Sequence, residues 1–207
     1  MQQIGEVKGW CIHVSNIIRM DFNTLRGRLK GMTTGFQEKI VDIEEKANDI
    51  LERYHPQIIP IDPLEIANAE GIEVISVEFT EEEISGLIDI DGMEKTIFVN
   101  HFHHPVRKRF TIAHELGHYF LHLQGIRDGV YVDNSINESF FRKEVYGDTD
   151  KQKEREANQF AASLLMPKNW VEAKWKETYD IGEMAKLFNV SSSAMGYRLI
   201  NLGIIQA

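Results

Sequence analysis

The chain has 207 residues, 43% of them hydrophobic, and its 32 acids against 23 bases give a formal net charge of −9. That length and apolar content fit one domain with an appendage, and the charge gives direct nucleic-acid binding no support, while it could attract a basic DNA-binding partner. No apolar run approaches the roughly 18 residues that a membrane span needs, and Cys11, as the single cysteine, cannot form an internal disulfide, so a cytoplasmic location is expected.

Residues 1–35 are basic overall, carry Gly5, Gly9, Gly27, Gly31 and Gly35, and show no sustained apolar period, which reads as a loosely ordered N-terminal extension. Met20 and Met32 leave open an alternative start site, and His13, Asn16 and Arg19 interrupt the apolar residues around Cys11, against a signal peptide. The first clear helix carries Phe36, Ile40, Ile43, Ala47, Ile50, Leu51 and Tyr54 on one side and ends before Pro56. Asp62, Pro63 and Glu65 combine an N-cap, a first-turn proline and a capping-box acid, and Glu70 and Gly71 close that short helix. Strands follow at Ile72 to Val77, Leu87 to Ile90 and Thr96 to Val99, the last two flanking a hairpin signal at Asp91 and Gly92. A small antiparallel sheet is therefore expected, with Thr96 to Asn100 as the candidate edge to which a peptide could pair.

His101, His103 and His104 precede Pro105 and are read as solvated or capping groups rather than a second metal site. A helix is expected from Pro105 to Leu123, and it carries the H-E-x-x-H run from His114 to His118. Residues four apart on a helix lie about 6 Å apart on one face, so both imidazoles can converge on a zinc ion. Glu115 lies about a quarter-turn round from His114, where a carboxylate serves as general base toward water without itself being a ligand. Catalytic zinc takes three protein ligands. His122 is an unsuitable third, since a straight helix puts it about 12 Å beyond His114, and a packing or hydrogen-bonding role is expected for it. A metzincin is excluded, because the positions that would need glycine and histidine hold Leu121 and Gln124.

Residues 124–153 are polar, contain Gly125, Gly129 and Gly147, and are long for a helix connection, which suggests a flap over the cleft. Tyr131 and Tyr146 lie within it as anchors or oxyanion donors, and neither is assigned that second role. From Glu154 to Pro167 a second helix is read, apolar at Ala157, Phe160, Ala161, Leu164 and Leu165. Glu156 shares a face with Phe160 and Leu164 and is the expected third ligand, with Glu154 in reserve. The plainer reading of Glu156 is an acid favoured by the helix dipole.

The run from Phe110 to His122, followed by the run from Glu156 to Pro167, resembles the ImmA/IrrE family of metallopeptidases. The likeness extends over roughly residues 36–167, about two-thirds of the chain. It implies an α+β, zincin-type fold and a gluzincin-like site of two histidines and one glutamate, in proteins that cleave helix-turn-helix repressors or antitoxins. The matching positions are His114, His118 and Glu156 as zinc ligands and Glu115 as base.

Beyond Pro167, Asp180 and Ser191 are expected to cap two short helices, and Ala185, Val190 and Met195 take the small and apolar positions of a helix-turn-helix. Only Lys186 and Arg198 are basic after Asp180, so a packing or partner-docking role is expected instead of DNA binding. The sequence thus divides into an extension (1–35), a zinc peptidase domain (36–167) and a C-terminal helical region (168–207). The competing reading is a non-catalytic regulator or antitoxin-type partner of a repressor, toxin or DNA, against which the intact Glu115 argues.

Overall fold

The computed structural model describes residues 10–13, 17–20, 43–54, 58–80, 84–125, 128–133 and 148–206. Phe36, Ile40, Met32 and Tyr146, together with most of the expected extension and flap, lie outside them.

Six strands form one sheet: β1 (Trp10–His13), β2 (Ile17–Met20), β3 (Glu73–Phe79), β4 (Gly86–Asp91), β5 (Glu94–Asn100) and β6 (Asp128–Asp133), in the order β1-β2-β3-β5-β4-β6. The expected β4–β5 hairpin is present, with Asp91 opposite Glu94 and Gly92 turning at φ +64°. A positive φ at the first of two loop residues costs glycine nothing.

The sheet as a whole is mixed and not the small antiparallel one the sequence suggests. β3 runs parallel to β5, pairing Glu73 with Thr96 and Val77 with Asn100, and β2 runs parallel to β3. β5 is consequently enclosed between β3 and β4, with Ile97, Phe98, Val99 and Asn100 all buried. Thr96 to Asn100 is therefore not an edge: both rows of its backbone groups are already paired. Its apolar run reads equally well as a strand covered on two faces, and this is the alternative the structure adopts. Two of the strands, β1 and β2, fall within the segment read from sequence as a loosely ordered extension. Each is four residues long, too short to give a clear alternation.

The helices are α1 (Ile43–Tyr54), α2 (Pro63–Ala69), α3 (Pro105–His118), α4 (Asp148–Leu165), α5 (Lys168–Thr178), α6 (Ile181–Phe188) and α7 (Ser192–Asn201). Their caps follow sequence chemistry. The Asp62 carboxylate accepts from the Leu64 N–H at 3.0 Å. The Asp180 carboxylate accepts from Glu183 at 2.8 Å, and the Ser191 hydroxyl accepts from Ala194 at 3.0 Å. At the head of α3, His104 Nδ1 accepts from the Val106 N–H at 3.3 Å with Pro105 behind it, which realises the capping role expected of a loop histidine.

The C-terminal helices are not a detached appendage. Met184, Phe188, Met195 and Leu199 are fully buried in the same cluster as Ile50, Ile66, Leu116 and Phe160. Arg198 fixes this union. Its Nε donates to the Met166 carbonyl at 2.9 Å, and its guanidinium pairs with both carboxylate oxygens of Glu44 on α1. Ser163 of α4 donates to the same carboxylate at 2.6 Å. Burial alone would push the Glu44 pKa up, but the Arg198 and Ser163 hydrogen bonds outweigh it and hold the carboxyl below its ordinary value. No helix among the described residues is long and apolar enough to cross a membrane.

Candidate metal centre

Two helices and one strand build the site. α3 lays its histidines against α4, and β4 passes beside the glutamate between them. The contact is close because three small residues permit it. A Cβ on Gly117 would lie 3.0 Å from the Ala157 Cα and carbonyl oxygen, so the two helices meet backbone to backbone at that point. A Cβ on Gly86 would lie 2.4 Å from the Thr111 methyl, 2.8 Å from the Phe98 carbonyl and 3.4 Å from Glu115 Oε1. The first residue of β4 thus has to be glycine for α3 to press Glu115 against the sheet.

Across this seam, His118 Nε2 approaches His114 Nε2 to 3.0 Å. The Glu154 carboxylate reaches both rings, at 3.3 Å from His114 Nε2 and 3.4 Å from His118 Nε2. His114, Glu115 and His118 are at most 1% exposed, whereas Glu154 is 29% exposed and forms the side of the cluster open to solvent. One ligand atom from each of His114, His118 and Glu154 can be chosen so that all lie within 4.8 Å of one another. Among the described residues, this is the group that can hold a metal ion. Two neutral imidazoles and one carboxylate are the donor set that a three-ligand divalent site requires, so the residues fit the group.

The electrostatics match that use. Burial drives the His118 pKa down to about 4 and His114 adds repulsion, so the ring is neutral at physiological pH although Glu154 favours its charged form. Burial opposes the Glu154 charge, but hydrogen bonds from both histidines prevail and hold its carboxyl at about 2. The metal-free cluster therefore pairs a neutral His118 ring with an ionised Glu154 carboxylate.

Glu156 does not join the two histidines. Its carboxylate lies 3.4 Å from His122 Nε2 and accepts from Gln152 at 2.9 Å. The acid that the structure brings to the two histidines is Glu154 in place of the expected Glu156, and the reason is the direction from which α4 meets α3. Ala157 marks the line of closest approach. At 3.6 residues per turn, Glu154 lies about 60° and Asn158 about 100° to one side of that line, whereas Glu156 lies about 100° to the other side, where it meets His122. Taking Phe160 and Leu164 as the guide to the buried face placed the site on the wrong side of the apolar stripe. The small residue was the better guide. α4 also begins at Asp148, six residues ahead of Glu154, so neither glutamate sits at a helix terminus.

His122 stays out of the cluster, as its distance along the helix implies. It lies in a π-turn, Tyr119–Leu123, that continues α3, and burial lowers its pKa while Glu156 opposes the shift. His101 contacts the Ser76 hydroxyl at 3.4 Å, and among the described residues His101, His103 and His104 join no group that could hold a metal ion. The side chain of Tyr131 lies outside the described residues. Asn158 is the participant that the sequence analysis missed: its Oδ1 lies 3.1 Å from His114 Nδ1. The available signal was its spacing of four from Glu154, which repeats on α4 the spacing of the two histidines on α3.

Two histidines, an opposing carboxylate and a buried glutamate within one α+β fold are the arrangement of a metal-dependent peptidase. The IrrE N-terminal-like domain model of the Peptidase M78 family matches residues 67–200, more than half of the chain, and the protein belongs to that family. The match crosses residue 167, where sequence reading set a boundary, and takes in most of the C-terminal helices that share the core. No curated protein matches the chain closely enough to add a named relative.

Proposed function

We propose that this peptidase is a gluzincin-like zinc endopeptidase that cleaves a helix-turn-helix repressor or antitoxin in the cytoplasm and so relieves repression. The observation that carries the reading is the convergence of His114, His118 and Glu154 beside the buried Glu115. Membership of the IrrE-like family supports peptide hydrolysis, and the resemblance to ImmA/IrrE proteins supports the substrate class.

When bound, a zinc ion supplies Lewis-acid polarisation of the scissile carbonyl and acidifies water. His114, His118 and Glu154 would hold it. Glu115 then takes a proton from water as the water oxygen bonds to the carbonyl carbon. It returns that proton to the amide nitrogen as the carbon–nitrogen bond breaks, and the new carboxylic acid passes its own proton to the released amine, leaving a carboxylate and an ammonium group. The dry surroundings of Glu115 strengthen each of these charge interactions relative to water. A direct DNA-binding role finds little support, because Arg198, one of the two bases after Asp180, is buried against Glu44.

The test incubates purified protein and zinc with the repressor-like protein encoded beside its gene and follows fragments by mass spectrometry. Wild type should cut, and Glu115→Gln should bind zinc but not cut. Equal cleavage by both would remove the base from Glu115, and binding without cleavage by either would favour a regulatory partner.

A further inference from the structure

We propose that Phe102, Arg107 and Lys108 form a docking patch for an acidic segment of the protein substrate, one that carries an apolar side chain beside aspartate or glutamate. The proposal rests on the peptidase reading above and adds to it where the substrate is held. Residues 95–114 contain no acid, in a chain whose net charge is −9. Two of their bases are engaged within the fold: Lys95 donates to the Glu70 carbonyl and the Tyr119 hydroxyl, and Arg109 donates to the Ile61 and Asn189 carbonyls. Arg107 and Lys108 are not. Among the described residues neither pairs with a carboxylate, and Arg107 uses one guanidinium nitrogen on the Ser85 hydroxyl, at 3.1 Å. Burial, and then the charges of Arg107 and Lys108, lower the His103 pKa, so the two cations flank an imidazole that is neutral at physiological pH.

Phe102 supplies the apolar half. It is 69% exposed, yet its N–H donates to Asn100 Oδ1 at 3.0 Å, and the buried Asn100 carboxamide donates in turn to the Ile84 carbonyl at 3.0 Å. His101 meets the ring edge-on, with centroids 5.4 Å apart. A ring held outward by a buried latch loses little freedom when a partner covers it, and aromatic and arginine side chains are the types that dominate interface energetics. The patch also lies beside the metal centre. Ser85, which holds Arg107, precedes Gly86, the residue that meets Thr111 and Glu115. Arg107 and Glu115 are eight residues apart on α3, about 12 Å, a span that an extended peptide covers in about four residues. An acid about four residues from the scissile bond therefore reaches Arg107. Nucleic acid fits the patch less well, because two cations meet few phosphates and the net charge of −9 repels a long polyanion.

The experiment uses full-length, metal-free protein and follows by fluorescence anisotropy a labelled peptide in which a Glu-Asp-Leu-Glu-Asp block is flanked by Gly-Ser repeats, beside the same peptide with lysine at each acid. Wild type should prefer the acidic peptide by about tenfold or more. Phe102→Ser and the double variant Arg107→Glu with Lys108→Glu should each lose about tenfold or more of that affinity at an unchanged melting temperature, and the double variant should prefer the lysine peptide. Equal binding of both peptides by wild type, or undiminished binding by either variant, would overturn the proposal. Tighter binding of duplex DNA, lost in the double variant, would assign the patch to nucleic acid and overturn it too. So would a clearly lower melting temperature for Phe102→Ser, because the ring would then be packing on its own chain. Zinc-loaded protein is then given a proteome-derived peptide library, in which wild-type cuts should carry an acid about four residues from the scissile bond and the double variant should lose that preference. Cutting without the preference would overturn the patch and leave the peptidase standing. Binding of the acidic peptide with no cutting at all would instead bring down the proposed function and leave the patch as a docking surface for an acidic partner.

Discussion

Gly117→Ala sets two effects of opposite sign against each other. Replacing a mid-helix glycine with alanine favours the helix by about 1 kcal/mol. At this position, however, the new methyl would lie 3.0 Å from the Ala157 Cα and carbonyl oxygen and 3.2 Å from the Phe160 ring. Carbon atoms in contact prefer about 3.5 to 4.0 Å, so α3 and α4 would have to part by roughly 0.5 to 1 Å. The obstructing atoms are mainly backbone, which no rotamer change can remove, and overpacking of this kind costs about 1 to 3 kcal/mol. The expected net effect is a loss of stability of up to about 2 kcal/mol. The site should be affected more than the fold. Glu154 lies across this seam from both histidines, and metal–ligand distances tolerate only about 0.2 Å of error. Zinc affinity by chelator competition should fall at least tenfold, and the metal-free melting temperature should also fall. Gly196→Ala is the control, because it lies inside α7 with nothing within 4 Å of the added methyl, and it should raise the melting temperature while leaving zinc affinity unchanged. A Gly117→Ala protein that melts higher and binds zinc like wild type would refute the argument that this glycine sets the distance between ligands.

Glu154→Gln should weaken zinc binding far more than Glu156→Gln, since only the former removes the carboxylate facing both histidines; equal losses in a chelator titration would count against that assignment. Metal-free stability should fall as pH drops from about 6.5 toward 4. His118 is neutral in the fold down to about 4, whereas in the unfolded chain it takes up a proton near its ordinary 6.5, so acid favours unfolding across that window. Melting temperatures should show this slope reduced in His118→Gln, and an unchanged slope would assign the effect to other groups. Below about 4.5 the lowered Glu44 carboxyl adds a second loss of the same sign, which Glu44→Gln should remove from the acid limb. Arg198→Met should lower stability by about 1 to 3 kcal/mol by removing the guanidinium from the partly buried Glu44 carboxylate, which keeps its Ser163 hydrogen bond, and a melting temperature close to wild type would deny that ion pair its anchoring role.

Much of this architecture is legible in single residues because local chemistry dictates it. Asp62, Asp180 and Ser191 cap helices wherever they stand before a helical run, and spacing alone puts His114 and His118 on one face. Relations between segments are less legible. Whether Thr96 to Asn100 forms an edge depends on β3 pairing with it across more than twenty intervening residues, and no local pattern distinguishes an edge from an interior strand when its centre, Ile97 to Val99, is apolar on both faces. The choice between Glu154 and Glu156 is of the same kind: both are acids at the margin of one apolar stripe, and only the line along which α4 touches α3 separates them. Yet that line left a trace in composition. Gly117 and Ala157 are the small residues at which two backbones can meet, and counting ligand spacing from Ala157 instead of from the bulky Phe160 leads to Glu154. Arg198 shows the converse. In sequence it is one of two bases on a helix-turn-helix-like segment, but its guanidinium is consumed in holding that segment to α1 and α4, so the same charge that might suggest a partner outside the protein instead ties the C-terminal helices to the helix that carries Glu154 and Asn158.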